Sequence, residues 1–265
     1  MSNKTGLSTQ QRQSRICKLL EAGRELGISE LADMFSTSEM TIRRDLTKLQ
    51  QRGQVLRTHG GVMPAERMMF EFDFSARRKD NQIAKRAIAK QAAKLISPPS
   101  RVILDAGTTT LELAYEIQGL ADLTVITPSL AVASALQFSD EVQTVLLGGV
   151  IRRGSPDLTG AMTETMLDMF AADIAFQGAD AIDADGWCYN SDLRIAKIDQ
   201  KMRQRARQVY VLADSSKLGK TALVRNGTLN QVDGLITDDK ADSAIIEQLR
   251  SAGATVIIAG RTQDK

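Results

Sequence analysis

The segment that most constrains the fold of this chain lies near its N-terminus, at residues 29–61. Residues 30–35 have the pattern of a short helix with Ser29 as its N-cap, a Ser-Thr-Ser turn follows, and Ser38 caps a longer helix. A glycine pair then closes a hairpin, where we expect it to supply the positive φ of a tight turn. With a further helix over residues 9–21, this order predicts a winged helix-turn-helix.

The longer helix has one apolar face and one polar face. Ile42, Leu46 and Leu49 recur at spacings of four and three, so they share a buried stripe. We expect the residues at the start of the opposite face to contact base edges, and its basic residues to contact phosphates. The candidate DNA-binding residues, two of them in the hairpin, are Ser38, Glu39, Met40, Thr41, Arg43, Arg44, Lys48, Arg57 and His59.

A plain three-helix bundle with a solvated cationic face is the alternative, because charged outer faces are the ordinary case. The charge distribution favours DNA binding modestly. Residues 1–61 carry ten basic and six acidic side chains, a net charge of +4, and the remainder of the chain carries −2. The complete order of helix, turn, helix and hairpin favours DNA binding more strongly than the arginine pair does.

Two strings in this region resemble a known family. Thr41-Ile-Arg-Arg-Asp-Leu, with the 17 residues before it, and Arg57-Thr-His-Gly-Gly-Val are similar to the N-terminal domain of the DeoR family of bacterial transcriptional regulators. The resemblance implies that residues 8–63 form a winged helix-turn-helix domain, which a linker over residues 64–80 joins to a second domain over residues 81–260.

The second domain has the pattern of an α/β fold. A long amphipathic helix is predicted over residues 77–96, with Ile83 and Leu95 among its buried residues and Lys85 on a solvated basic face. Short apolar runs then alternate with helical segments, which predicts a mostly parallel, Rossmann-like sheet covered on both faces. The predicted strands lie at residues 102–104, 123–126, 142–147, 174–176, 209–212, 234–236 and 255–258.

Ligands of such sheets bind at the carboxyl ends of the strands, so the residues that follow each strand are the candidate site. The first strand leads into an Asp-Ala-Gly-Thr-Thr-Thr string that opens a helix, and later strands lead into Gly178-Ala-Asp180 and Asp214-Ser-Ser-Lys217. Hydroxyls, amides at a helix N-terminus and a lysine are groups that bind phosphate. Together they indicate a phosphorylated polar ligand.

The same strings resemble the sensor domain of the DeoR family, which is related to ribose-5-phosphate isomerases. The resemblance implies a repressor of a carbohydrate catabolic operon that a phosphorylated sugar releases from double-stranded operator DNA. It also implies the effector-binding candidates Asp105, Gly107, Thr108, Thr109, Thr110, Arg152, Asp180 and Lys217. The chain departs from the family pattern at Pro128, where the family commonly has Asn, and at Ile195 and Asp199, where many members have an acid and a lysine.

Other classes of protein have less support in the sequence. A sugar-phosphate isomerase with an accessory N-terminal domain is the alternative, but the sole histidine lies in the hairpin and Ile195 stands where an acid is expected. We expect no metal, no cofactor and no catalytic residues, because the chain lacks a His/Cys cluster and a G-x-G-x-x-G string. Neither a signal peptide nor a membrane span is evident, so we expect a cytoplasmic protein. Because a dimer places two recognition helices on successive major-groove faces, we also expect a homodimer or homotetramer.

Overall fold

The computed structural model describes residues 8–21, 26–51, 55–57, 61–64, 74, 77–152 and 154–260. The chain divides into two compact units, an N-terminal unit over Met1–Ser75 and a C-terminal unit over Ala76–Lys265. Each unit has a hydrophobic core of its own. No helix in the described ranges is both long and apolar enough to span a membrane.

The N-terminal unit is a small helical bundle with a two-stranded hairpin. Its elements are α1 Thr9–Glu21, α2 Ile28–Met34, α3 Glu39–Gln51, β1 Val55–Arg57 and β2 Val62–Pro64. The predicted stripe of Ile42, Leu46 and Leu49 is confirmed, since all three are buried in the core of this unit. The predicted start of α2 is wrong by two residues, because Gly27 is the N-cap and its amide donates to the Glu30 carboxylate (3.3 Å).

The hairpin of this unit has a third extended partner that the sequence did not indicate. The amides of Leu26 and Val62 each donate to the carbonyl of the other residue, at 3.1 and 2.9 Å. Gly61 lies against this pair, and a Cβ atom there would stand 2.2 Å from the Leu26 carbonyl oxygen. Gly61 does not have the positive φ that we expected, so close backbone approach is the reason for this glycine. Gly60 lies outside the described residues.

The C-terminal unit is built on a seven-stranded parallel sheet, and all seven predicted strands are confirmed. The strands are β3 Ser100–Leu104, β4 Leu123–Thr127, β5 Val142–Leu146, β8 Ala172–Gly178, β11 Ala206–Leu212, β13 Gly234–Asp238 and β14 Val256–Ala259. Their order in the sheet is β14-β13-β11-β8-β3-β4-β5, and each neighbouring pair is parallel.

Helices cover both faces of this sheet. They are α4 Gln82–Ala93, α5 Thr108–Glu116, α6 Leu130–Leu136, α7 Ala161–Asp168, α8 Leu193–Arg205 and α9 Ser243–Ser251. Ile103 of β3 packs with residues of α7 and α8. Its neighbours Val102 and Leu104, which point to the other face, are also fully buried. The sequence therefore predicted the α/β class and the parallel sheet correctly.

The predicted helix over residues 77–96 is the least accurate prediction in this unit. The regular helix is α4, because the chain turns at Asp80 and Asn81, where Asn81 has φ of 51°. Ile83, predicted to be buried, is 67% exposed, and Lys85, predicted to be solvated, is 4% exposed. The centre of the predicted apolar face is confirmed, because Ala87, Ile88 and Ala92 are buried.

Two small antiparallel sheets were missed from the sequence. One is the hairpin of β6 Val150–Ile151 and β7 Leu158–Thr159, and the other has the order β12-β10-β9. The strands of the second sheet are β9 Ala181–Ile182, β10 Trp187–Asn190 and β12 Val224–Thr228. They are short and contain glycine and asparagine, so they lack the apolar runs by which strands are recognised.

Candidate DNA-binding and effector sites

The outer face of α3 is the candidate DNA-binding surface. Met40 is 60% exposed, and Arg44 and Lys48 are exposed. Neither Arg44 nor Lys48 forms an ion pair within the part of the chain that the structure describes. Their charges are thus available to bind the phosphates of a polyanion such as DNA. Basic side chains that neutralise these phosphates release counterions, and this release favours binding.

The start of α3 is held by its own side chains. Ser38 is the N-terminal capping residue as predicted, and its Oγ accepts from the Thr41 amide (3.2 Å) and contacts the Thr41 hydroxyl (2.9 Å). Arg43 forms an ion pair with Glu39 one turn before it (3.4 Å). Local hydrogen bonds and an ion pair therefore hold the exposed side chains of Ser38, Glu39 and Arg43 and the half-buried Thr41 in place at the start of α3.

A buried ion pair fixes α3 against α1, and the sequence analysis missed it. Asp45 is 2% exposed and lies on the apolar side of α3, three residues after Ile42. Its carboxylate accepts from Arg12 Nε (2.5 Å) and from Gln13 Nε2 (3.0 Å). A buried carboxylate with two donors on another helix specifies the angle at which the two helices pack. The spacing of the apolar residues carries no signal of such a partner.

The two candidates in the hairpin are less completely described. Arg57 lies at the end of β1, where it pairs with Val62 of β2. His59 lies outside the described residues. Their predicted contacts with DNA stay predictions.

In the C-terminal unit, the loop between β3 and α5 carries five of the candidates. Gly107 is the N-cap of α5, and Thr108, Thr109 and Thr110 form its first turn, whose amides have no partners inside the helix. The Thr110 hydroxyl is buried and donates to the carbonyls of Asp105 (2.7 Å) and Gly107 (2.9 Å). The half-buried Thr108 hydroxyl has no such bond within the described residues, so it is the side chain of this turn that a ligand can engage.

Asp105 joins two strand ends. One carboxylate oxygen accepts from the Ala106 amide (2.6 Å), and the other accepts from the Gly178 amide at the end of β8 (3.0 Å). Burial raises the pKa of Asp105 to about 6, and the negative charges of Asp157 and Asp180 add to that rise. Both carboxylate oxygens thus accept backbone amides, and the predicted role of Asp105 in effector binding stays a prediction.

Arg152 and Asp180 lie near this loop, each with partners of its own. Arg152 forms an ion pair with the buried Asp157 (2.9 Å) and lies 3.9 Å from a carboxylate oxygen of Asp192. Asp180 accepts from the Ser191 amide (2.7 Å). Pro128, the first departure from the family pattern, follows β4 and lies beside β7. Its carbonyl accepts a hydrogen bond from the Leu158 amide (2.8 Å).

Lys217 lies at the end of the adjacent strand, β11. It closes a 3-10 helix, Ser215–Lys217, that the carboxylate of Asp214 caps. Its ammonium group has no ion pair in the described ranges. Because β3, β8 and β11 are neighbouring parallel strands, their carboxyl ends bring the Lys217 loop and the first turn of α5 to the same edge of the sheet.

The residue Asp199 was identified from the sequence as a departure, and the structure places it in the core. It is fully buried in α8, where one carboxylate oxygen accepts from Asn190 (3.0 Å) and Asn226 (2.9 Å). The other oxygen has no hydrogen-bond partner among the described residues. Burial, with the nearby charge of Asp105, raises the pKa of Asp199 well above its usual range.

Arg203 and Gln177 complete a buried polar network around Asp199. Arg203 donates to the Gln177 side chain (2.6 Å) and to Asn226, and Gln177 donates to the Asp199 carbonyl (3.1 Å). Ile195, the other departure, is half-buried on the same helix. Within the described residues there is no group of three His, Cys, Asp or Glu side chains that could hold a metal ion.

The two units define a class of protein, a winged helix-turn-helix joined to an α/β domain with a polar strand-end site. Residues 12–67 match the DeoR-like helix-turn-helix domain, and residues 80–239 match the DeoR C terminal sensor domain. The chain belongs to the DeoR family of transcriptional regulators.

Relatives of similar length carry regulator names. The chain is 32% identical over 247 residues to the HTH-type transcriptional regulator GlpR of Haloferax volcanii, covering 93% of this chain and 96% of that protein. It is 28% identical over 240 residues to the glycerol-3-phosphate regulon repressor of Escherichia coli, covering 90% and 94%. A ribose 5-phosphate isomerase from Methanocaldococcus jannaschii aligns with 52% of this chain and 55% of its own, at 21% identity and a TM-score of 0.40.

Proposed function

We propose that this protein represses a carbohydrate operon by binding operator DNA through α3, and that a phosphorylated sugar at the strand-end site releases it. The observation that carries the proposal is that both surfaces occur in one chain. Arg44 and Lys48 are exposed on the helix-turn-helix, and Lys217 lies at the same sheet edge as the first turn of α5. One surface suits a polyanion, and the other suits a small anion.

The phosphate of the effector is proposed to bind where the C-terminal unit concentrates positive potential. The amides of the first turn of α5 provide the positive end of the helix dipole, and Lys217 provides a full charge. The Thr108 hydroxyl adds a hydrogen-bond donor. The hydroxyls of the sugar are then left for polar groups such as Asp180 and Arg152, which lie near Asp105 on the same side of the sheet.

Release of DNA requires that the effector binds one conformation better than the other. Most helix-turn-helix proteins of this kind bind two half-sites, so we propose that the protein acts as a homodimer or homotetramer. Two copies of α3 would then be about 34–36 Å apart on successive turns of the major groove. The name of the E. coli relative, a glycerol-3-phosphate regulon repressor, supports a phosphorylated effector for this chain.

The isomerase alternative has weaker support. Isomerisation needs a base that can reach a proton next to the substrate carbonyl. Asp105 has a pKa near 6, but each of its oxygens already accepts a backbone amide. One oxygen of Asp214, Oδ1, also accepts two hydrogen bonds, from Asn81 (3.0 Å) and from the Ser216 amide (3.0 Å).

The test is binding of the full-length protein to its own upstream DNA in the presence of sugar phosphates. We expect tight, salt-sensitive binding that one member of the panel relieves, the panel being glycerol 3-phosphate, ribose 5-phosphate, fructose 6-phosphate and glucose 6-phosphate. The absence of DNA binding at every salt concentration would refute the proposal. Turnover of a panel member would instead support the isomerase.

A double variant locates the effector site. Thr108→Ala with Lys217→Ala removes the hydroxyl and the ammonium group at the strand ends, so we expect normal DNA binding that sugar phosphate no longer relieves. Thr124→Ala with Lys94→Ala is the matched control, because these residues lie at the start of β4 and just after α4, away from the carboxyl edge. A double variant that still responds like the control would show that the effector binds elsewhere.

A further inference from the structure

The segment that begins the C-terminal unit is tied to the loop that carries Lys217. Residues 77–81 precede α4, and Asn81 Nδ2 donates to a carboxylate oxygen of Asp214 (3.0 Å). Lys85, one turn into α4, donates from its ammonium group to the carbonyl of Arg77. These two bonds connect the loop after β11, the start of α4 and the residues before it.

In the loop after β11, one oxygen atom, Asp214 Oδ1, accepts the hydrogen bond from Asn81. Asp214 is 2% exposed, and its Oδ1 accepts from Asn81 and from the amide and hydroxyl of Ser216. The Ser216 bonds hold the 3-10 helix that ends at Lys217. A shift of this helix on binding an anion would therefore change the position of the oxygen that Asn81 contacts.

The backbone at Asn81 makes this turn sensitive to the loss of that bond. Its φ of 51° lies in the left-handed region, which is strained for a residue with a side chain, although asparagine tolerates it better than most. Lys85 is buried and faces the charges of Asp214, Lys217, Asp80 and Arg77. The turn thus rests on contacts with the very loop that we propose to bind phosphate.

The same turn lies on the chain path to the N-terminal unit. The N-terminal unit ends at Ser75, two residues before the segment begins. We propose that Asn81 and Lys85 are coupling residues, which transmit effector binding at the Lys217 loop to the segment that leads to the DNA-binding unit. This inference rests on the proposed function, because it describes how the effector site and the operator-binding surface communicate.

The experiment compares the operator Kd of full-length variants with and without a saturating concentration of the panel sugar phosphate that releases the wild-type protein. Asn81→Gly removes the bond to Asp214, while glycine keeps the positive φ without cost. We expect its operator Kd without sugar phosphate to stay within about twofold of wild type. The ratio of the operator Kd with sugar phosphate to the Kd without it should fall at least threefold towards 1. The reason is that this ratio measures the coupling between the two sites, to which we propose that the bond contributes.

Asp122→Gly is the matched control, because Asp122 also has a positive φ (57°) but precedes β4 at the opposite edge of the sheet. Lys85→Met is the second variant, and it removes the donor to Arg77 with little change in side-chain length. We expect Lys85→Met to reduce the ratio as Asn81→Gly does. Wild-type ratios in both variants would overturn the coupling inference alone, whereas a wild-type protein that ignores every sugar phosphate would overturn the proposed function and this inference with it.

Discussion

Replacement of the buried carboxyl of Asp199 by an amide, in Asp199→Asn, should change how the stability of the C-terminal unit depends on pH. In the folded protein the pKa of Asp199 is raised well above its usual range, mainly by burial and also by the charge of Asp105. In the unfolded chain it is about 3.9. Between these values the folded state holds one more proton than the unfolded state, so the stability of the wild type falls as pH rises.

The magnitude follows from that one proton. A difference of one bound proton changes the free energy of unfolding by about 1.4 kcal/mol per pH unit. In the pH range between the two pKa values the variant should therefore gain stability relative to wild type as pH rises, with that slope as the upper limit.

The protein supplies its own reporter for the measurement. Trp187 is the sole tryptophan and lies in β10, three residues before Asn190, which donates to Asp199. Urea unfolding followed by its fluorescence, at pH steps from 4.5 to 7, reports on the C-terminal unit separately from the helix-turn-helix. A stability difference that stays constant across this range would refute the reasoning that folded Asp199 is protonated.

An exposed aspartate provides the control with the opposite sign. Asp173 accepts two hydrogen bonds from the guanidinium of Arg101 (3.0 and 2.8 Å), which lowers the pKa of Asp173 to about 2. Its contribution is present above pH 4 and is lost as pH falls through the folded pKa. Asp173→Asn should therefore destabilise the protein above pH 4, by no more than about 1 kcal/mol because water screens this pair.

Two further predictions concern the N-terminal unit. Arg44→Ala should weaken operator binding and reduce the slope of log Kd against log salt concentration by about 0.9, while Arg250→Ala, a change in α9, should leave the slope unchanged. A normal slope for Arg44→Ala would exclude a phosphate contact. Gly61→Ala should destabilise the helix-turn-helix by about 2 kcal/mol, because its Cβ meets the Leu26 carbonyl. Thermal unfolding by circular dichroism measures this, and Gly119→Ala, with open space around its Cβ, should be near neutral.

The sequence determined those parts of the fold that depend on local periodicity. Ile42, Leu46 and Leu49 repeat with the helical period, and they are buried as that period requires. The apolar runs between polar helices sufficed to identify all seven strands of the parallel sheet, because strands covered on both faces must be apolar throughout. Since parallel strands end at the same edge, the position of the candidate effector loops followed as well.

Only the tertiary structure decided which polar residues are buried and what they contact. Asp45, Lys85 and Asp199 lie on the apolar sides of their helices. Each is accommodated there because a hydrogen-bond partner outside its own helix lies against it. A period of 3.6 residues reports which side of a helix is apolar, but whether a charge can be buried there depends on donors and acceptors that the fold brings from other elements. For the same reason the bond from Asn81 to Asp214, 133 residues apart, could not be read from the sequence.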